Sequence, residues 1–224
     1  MTYEPGSLLD RLADDDLGAL LALGTPTRFA KDAPLFLEGE HADHVLAVGS
    51  GRVKICFADR GGREVVLAVR GPGDLLGDLS AIDGEPRSAA GYALEPVEAI
   101  VIPADAFRSL LTGRPRLALA LIEELAGRLR DADRKRIEFG AVATEARVAR
   151  RLVELARRFG EQPRPGGGVR IALRLSQDEL AGFTGRSREA VAKALAVFRA
   201  RGWVETGRRT VVVVDLEALA RRAR

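Results

Sequence analysis

Residues 175–204, LSQDELAGFTGRSREAVAKALAVFRARGWV, decide the fold. Ser176 followed by Glu179 three residues later is the spacing of a helix capping box, and Leu180, Ala181 and Phe183 give the following turns an apolar side. Thr184-Gly185-Arg186 interrupts that pattern, and Gly185 can take the positive φ that a tight helix-to-helix turn needs. Ser187 then caps a second helix whose apolar residues, Ala190, Val191, Ala194, Leu195, Val197 and Phe198, recur at helical period. Arg188 and Glu189 lie in its first turn and Lys193 falls four residues after Glu189, so the three share one polar face. A solvated face on a small helical hairpin has this composition. So does a helix that enters the major groove, where Arg pairs with guanine and Glu accepts from cytosine.

The residues after this stretch add a β-hairpin signal. Gly202-Trp203-Val204 leads to Gly207-Arg208-Arg209 and then Thr210-Val211-Val212-Val213-Val214, two extended runs with a basic tip. Ser187-Arg188-Glu189-x-Val191-x-Lys193, with that hairpin as its wing, resembles the recognition helix of the cyclic AMP receptor protein and fumarate-nitrate regulator superfamily. The resemblance implies a winged helix-turn-helix that contacts double-stranded DNA through Gln177, Arg186, Ser187, Arg188, Glu189, Lys193, Arg208 and Arg209. It further implies a palindromic operator with TGTGA-like half-sites, and RNA polymerase as a partner if the protein is an activator.

Composition agrees with a nucleic-acid partner. The chain has 224 residues, 46% hydrophobic and 30% charged, with a net charge of +3. That small net charge conceals an asymmetry: residues 1–112 carry −8 and residues 113–224 carry +11. A strongly basic half points to a polyanion. No run approaches the length of a membrane span and the N-terminal residues are acidic, so a cytoplasmic protein without a membrane partner is expected. Cys56 is the one cysteine, too few for an iron–sulfur cluster of the fumarate-nitrate regulator type.

From Thr27 to about Ile102 the texture is one of short strands separated by glycine-bearing turns, including Glu38-Gly39-Glu40, Gly49-Ser50-Gly51, Gly61-Gly62 and Gly71-Pro72-Gly73-Asp74. This spacing predicts an antiparallel jelly roll or barrel. Leu110–Phe139 reads as one long helix in which Ala118, Ile122, Leu125, Leu129 and Ala132 form a heptad seam for a homodimer, with Arg136 and Phe139 continuing it. The same period fits a helix packed on its own barrel. Gly140 is expected to interrupt this helix as a hinge and Thr144 to cap the next, Glu145–Phe159; the run 160–168 then reads as a turn before a strand near 169–173. The expected fold class is α+β. An effector domain like the cyclic nucleotide-binding jelly roll occupies 1–112, a dimerisation helix 113–140, and the winged helix-turn-helix 141–224.

Within the barrel, Gly77-Asp78-Leu79 and Arg87-Ser88-Ala89 are close to the family's phosphate cassette. A cyclic phosphate calls for one Arg, a hydroxyl and free backbone N–H groups on a tight turn. Arg87, Ser88 and the backbone near Leu79 and Ala89 supply them. Asp78 stands where the family usually has Glu as acceptor for the ribose 2′-OH, and is one methylene shorter. The positions that meet the purine in cyclic AMP receptors, Thr and Ser in the prototype, fall by register on Ala132 and Asp133. The resemblance thus implies cyclic AMP first, then another cyclic nucleotide or small effector, then none. His41 and His44 sit together in a turn, where a haem or redox sensor is the rival reading, and no metal is expected. A nucleotide-binding interaction module is the other rival. Two histidines in one turn build no catalytic triad, and no P-loop or zinc spacing occurs, so the chain is not expected to be an enzyme.

Overall fold

The computed structural model describes residues 2–58, 64–141, 143–161, 168–173 and 175–223, and the side chains of 134–141 are not described. The Gly61-Gly62 turn, residues 162–167 and the side chains of Arg136 and Phe139 therefore lie outside the described residues. The chain divides into two compact units, residues 1–57 with 67–133, and residues 58–66 with 134–224.

The first unit begins with a short 3-10 turn, Leu9–Arg11, and helix α1, Asp14–Leu21. Eight strands follow: β1 Thr25–Phe29, β2 Pro34–Phe36, β3 His44–Ser50, β4 Val53–Ala58, β5 Glu64–Arg70, β6 Leu75–Leu76, β7 Ala90–Ala93 and β8 Val97–Pro103. They form two four-stranded sheets, ordered β1-β8-β3-β6 and β2-β7-β4-β5. Helix α2, Asp78–Asp83, bridges β6 and β7; α3, Ala104–Gly113, and α4, Pro115–Ala141, follow β8. Strand period explains the layering. In β3, Leu46 and Val48 point into a core with Leu35, Val53, Leu76 and Val97, whereas Val45 and Ala47 point the other way. That opposite face meets Leu8, Leu9, Leu20, Phe107, Leu117 and Leu121 of the N-terminal turn and helices. The inner strands β3 and β8 of this sheet are therefore buried on both faces, as their apolar runs require.

The long helix differs from expectation at both ends. Leu110–Phe139 is not continuous: α3 stops at Gly113, and Arg114 takes φ −131°, ψ 82° before Pro115 opens α4. The pyrrolidine ring disfavours the helical conformation at the residue before it, and a proline suits a first helical position. At the other end α4 runs through Gly140 to Ala141, so that glycine does not interrupt it. The cap of the next helix is Ala143 rather than Thr144.

In the second unit, α5, Thr144–Phe159, packs on α6, Gln177–Thr184, α7, Arg188–Ala200, and α8, Leu216–Arg222. Strands β9 Gly160–Glu161, β10 Val169–Ile171, β11 Val204–Gly207 and β12 Thr210–Val213 form the sheet β11-β12-β10-β9. Both ends of α6 follow the sequence reading. Ser176 Oγ accepts from Glu179 N at 3.1 Å while the Glu179 carboxylate accepts from Ser176 N at 2.6 Å. Gly185 ends the helix at φ 60°, ψ 36°. Helix α7 ends on a second glycine, Gly202, at φ 70°. There Trp203 N donates to Phe198 O at 2.9 Å, Gly202 N to Arg199 O at 2.9 Å, and the Trp203 ring stacks on Phe198 at 5.9 Å. This is the paired hydrogen bonding and apolar contact of a Schellman motif, and it launches β11 away from the helix end. Arg151 Nε donates to Phe183 O at 3.1 Å, tying α5 to the end of α6.

Candidate functional site

Two sites emerge, one in each unit. In the first, Arg87 is buried, with 3% of its surface exposed. Its Nη1 donates to Gly77 O at 2.9 Å and its Nη2 to His44 O at 2.5 Å, and the guanidinium lies 4.9 Å from the centre of the Phe36 ring. Its backbone is held as well: Arg87 N donates to Glu40 O at 2.9 Å, and Gly39 N donates to Arg87 O at 2.8 Å. Arg87 Nε has no hydrogen-bond partner among the described residues. Burial pulls the Arg87 pKa below its ordinary value, and the nearby Asp43, Glu40 and Asp78 charges oppose that. A buried cation with an unused N–H is able to take an anion, because leaving such a donor unpaired is costly.

Gly77 explains how the cassette closes. It has φ 75°, and a Cβ there would lie 1.9 Å from Arg87 Nη1. Both the conformation and the guanidinium exclude a side chain. Gly77→Ala is expected to destabilise the fold by about 1–3 kcal/mol through a strained left-handed alanine and a displaced Arg87. A denaturant midpoint within error of the wild type would contradict this.

Asp78 is also 3% exposed, and it is already engaged. Arg128 of α4 reaches it with Nη1 at 2.8 Å, donates Nη2 to Leu75 O at 3.2 Å, and donates Nε to Glu124 Oε1 at 3.1 Å. The other Glu124 oxygen accepts from Arg11 Nη2 at 2.7 Å. Four alternating charges therefore run from the N-terminal turn through α4 to the cassette. Sequence reading singled out neither Arg128 nor Glu124, although their i,i+4 spacing one turn before Ala132 was a signal. Of the remaining cassette residues, Ala89 is buried, whereas Leu79 and Ser88 are exposed. Ala132 and Asp133 are exposed too, so the α4 side chain brought to the cassette is Arg128. His44 serves Arg87 through its carbonyl, while its ring Nδ1 sits 2.5 Å from Asp43 Oδ1. Among the described residues no group of three or more His, Cys, Asp or Glu side chains converges as a metal site.

The outward face of α4 is apolar. Leu119, Ile122 and Leu129 are 57%, 60% and 64% exposed. Of the seam expected at Ala118, Ile122, Leu125, Leu129 and Ala132, the residues Ile122, Leu129 and Ala132 are exposed. Leu125 leans on its own barrel beside Leu117 and Leu121, and Ala118 is half-buried. Leu119 extends the exposed stripe of Ile122 and Leu129, with the half-buried Ala126 between them, while Leu117, Leu121 and Leu125 pack inward.

In the second unit, Ser187 caps α7 by accepting from Ala190 N at 3.3 Å. Arg188, Glu189 and Lys193 are exposed along one side of that helix. The backbone N–H at the helix start and the Ser187 hydroxyl hold the Glu189 carboxyl below its usual range, so it stays an ionised acceptor at neutral pH and somewhat below. Arg208 and Arg209 form the two-residue turn between β11 and β12, where Gly207 pairs with Thr210. Arg209 takes φ 56° to close it. Gln177 and Arg186 are half-buried. Arg199 Nη1 donates to Thr206 Oγ1 at 2.9 Å, joining the recognition-type helix to the hairpin. A capped helix with an exposed Arg–Glu tip beside a basic hairpin can enter a major groove while the hairpin meets phosphates.

Both regions of the chain match known protein families. Residues 26–114 match the family model of the cyclic nucleotide-binding domain, and residues 146–222 that of the Crp-like helix-turn-helix domain. The chain is similar to a CRP-like cAMP-activated global transcriptional regulator of Mycobacterium tuberculosis, 38% identical over 93% of this chain and 92% of the relative. It is also similar to the cyclic AMP receptor protein of Thermus thermophilus, 30% identical over 95% of this chain and 94% of the relative. Among solved structures, the c-di-GMP responsive global regulator CLP of Xanthomonas campestris superposes with a TM-score of 0.81. It is 26% identical, covering 90% of this chain and 99% of that one.

Proposed function

Because the chain belongs to the CRP-like family of transcription regulators, with a cyclic nucleotide-binding domain and a helix-turn-helix and no enzymatic activity, we propose that a cyclic nucleotide governs how it binds DNA. In this reading residues 1–112 form the effector domain, 113–140 the helix of a homodimer, and 141–224 the DNA-binding domain. Arg87 takes the cyclic phosphate, with Ser88 and the backbone of Leu79 and Ala89, on the cassette shaped by Gly77. Asp78 accepts from the ribose hydroxyl, its carboxylate held in place by Arg128. Cyclic AMP is the first candidate, because relatives that cover nearly the whole chain are cAMP-activated or are named for cyclic AMP. The single observation that carries the proposal is the buried Arg87, fixed by two carbonyls with Nε unused.

A second effector is favoured by one specific feature. Ala132 brings no hydrogen-bonding group and Asp133 only an acceptor, where the prototype has hydroxyls. A guanine base, whose N1 and N2 are donors, suits Asp133. The similarity to a c-di-GMP responsive regulator makes cyclic dinucleotides part of the same test. Calorimetric titration with cyclic mono- and dinucleotides decides between them, and no binding of any would sink the effector reading.

Ala132 and Asp133 of the partner protomer would close over the base. Arg188, Glu189 and Lys193 would read TGTGA-like half-sites of a palindrome, Arg208 and Arg209 the phosphates, and Gln177, Arg186 and Ser187 the edges of the groove. The protein would act in the cytoplasm and touch RNA polymerase if it activates. Arg188→Ala is expected to cost about 1–3 kcal/mol of operator affinity and relax preference at one G·C pair. Selection from random duplexes checks it: the substituted protein should return the same palindrome with one position degenerate, and an unchanged motif would contradict the assignment.

A further inference from the structure

The first turn of α6 carries two adjacent carboxylates, Asp178 and Glu179. Glu179 is committed to the capping box, yet its Oε2 also lies 3.6 Å from Arg209 Nη2 at the hairpin tip. Asp178 Oδ2 lies 3.7 Å from Arg188 Nη1 at the tip of α7, and both of those side chains are largely exposed. The two carboxylates thus face one arginine from each element that would touch DNA. Their placement at a helix start is electrostatically favourable in its own right. A carboxylate offers a guanidinium the same anionic oxygens that a phosphate does.

We propose that Asp178, with Glu179 beside it, is an internal stand-in for the DNA backbone, which duplex must displace from Arg188 and Arg209, and that Asp178 thereby sets specificity. This rests on reading Arg188 as a base contact. Non-specific duplex offers Arg188 only phosphates. Trading one anion for another gains little there, and Asp178 is left beside a polyanion. At a cognate site Arg188 gains a bidentate pair with guanine, which Asp178 cannot imitate. The carboxylate therefore lowers binding to arbitrary sequence more than binding to the operator. Exposed ion pairs are weak in isolation, and a weak pair is what allows rapid displacement.

The test compares Asp178→Asn with Glu217→Gln, which removes the same charge and a similar ion pair, to Arg221 at 3.7 Å, on α8. Binding to the selected operator and to a scrambled duplex is measured by fluorescence anisotropy across a salt series. One added phosphate contact steepens the salt slope by about 0.9, which is about eightfold in affinity at 0.1 M salt. Asp178→Asn is expected to show that gain on scrambled duplex and about a twofold gain on operator, so the specificity ratio falls about fourfold, while Glu217→Gln changes neither. Equal gains on both duplexes, no gain, or the same effect from Glu217→Gln would overturn the proposal. Should Asp178→Asn fold poorly, Asp178→Ser is read in its place. If the wild type prefers no sequence, the base-contact reading falls, and the scrambled duplex alone still decides whether Asp178 masks Arg188.

Discussion

Arg87→Leu is expected to weaken nucleotide binding by about thirtyfold to several thousandfold. The side chain is buried and donates to Gly77 O and His44 O, so it is positioned before any ligand arrives. Removing a charge-assisted partner from a buried anion costs about 2–5 kcal/mol, and each 1.4 kcal/mol is tenfold in affinity. Leucine also takes the guanidinium donors from His44 O and from Gly77 O, which keeps Ala81 N at 3.1 Å, and a carbonyl left unpaired and dry costs about 1–3 kcal/mol. The fold should therefore soften as well. Arg87→Lys separates the effects, because it keeps the charge without the planar fork and should recover only part of the affinity. Calorimetry on both variants, with a denaturation curve for each, checks it. Wild-type affinity in a folded Arg87→Leu protein would remove Arg87 from the site.

Leu129→Asp is expected to abolish the dimer at micromolar concentration. Leu119, Ile122 and Leu129 are more than half exposed, three large apolar side chains on one stripe of α4. In a two-stranded coiled coil each would be buried, at about 1.5–3 kcal/mol per side chain. A twofold axis places two aspartates in the same dry seam, which costs several kcal/mol more. Sedimentation should show a monomer that no longer holds a palindrome with two-site affinity. Leu125→Asp discriminates between the two seams: Leu125 packs on its own barrel, so this change should lower stability before it affects association. If Leu129→Asp remained a dimer with normal operator binding, α4 would not be the interface.

The parts of this fold that were legible in the sequence are those governed by neighbours in the chain. The Ser176–Glu179 box, the Gly185 turn and the Ser187 cap depend on residues within four positions of one another, and each forms with the expected partner. The alternation within β3 likewise follows from strand period. What was not legible depends on the third dimension. Arg128 and Asp78 are fifty positions apart, and nothing local announces that α4 lies where the guanidinium meets the carboxylate. The seam was ambiguous for a related reason. Two registers share Ile122 and Leu129 and differ in whether Leu125 or Ala126 joins them, and Leu125 packs with Leu117 and Leu121 against the barrel, a long-range contact that the period alone does not reveal. The helix break at Arg114 was legible in principle, since Pro115 stands in the sequence, but the apolar period on either side concealed it. Gly140 shows the converse: a glycine marks where a helix is able to break, and here α4 passes through it.

The charge chain Arg11–Glu124–Arg128–Asp78 connects the proposed effector site to α4, the same helix that presents the apolar stripe. In the function proposed above, a ligand that bears on Asp78 and Arg128 would act on the helix whose pairing would set the distance between two recognition helices. Successive major grooves on one face of a duplex lie about 34 Å apart, so a modest change in that pairing is enough to match or miss them. A ligand shifts such an equilibrium only by its differential affinity for the two states, and about 1.4 kcal/mol suffices for a tenfold change in DNA affinity. The coupling is reciprocal by thermodynamic necessity.

The most direct measurement is the affinity of the selected operator for the wild-type protein, by fluorescence anisotropy, without nucleotide and with each cyclic nucleotide at saturation. One nucleotide should tighten operator binding at least about tenfold, and titrating that nucleotide into the protein–operator complex should show its own affinity raised by the same factor. Equal operator affinity with and without every nucleotide, unchanged by Arg87→Leu, would contradict an effector-governed regulator.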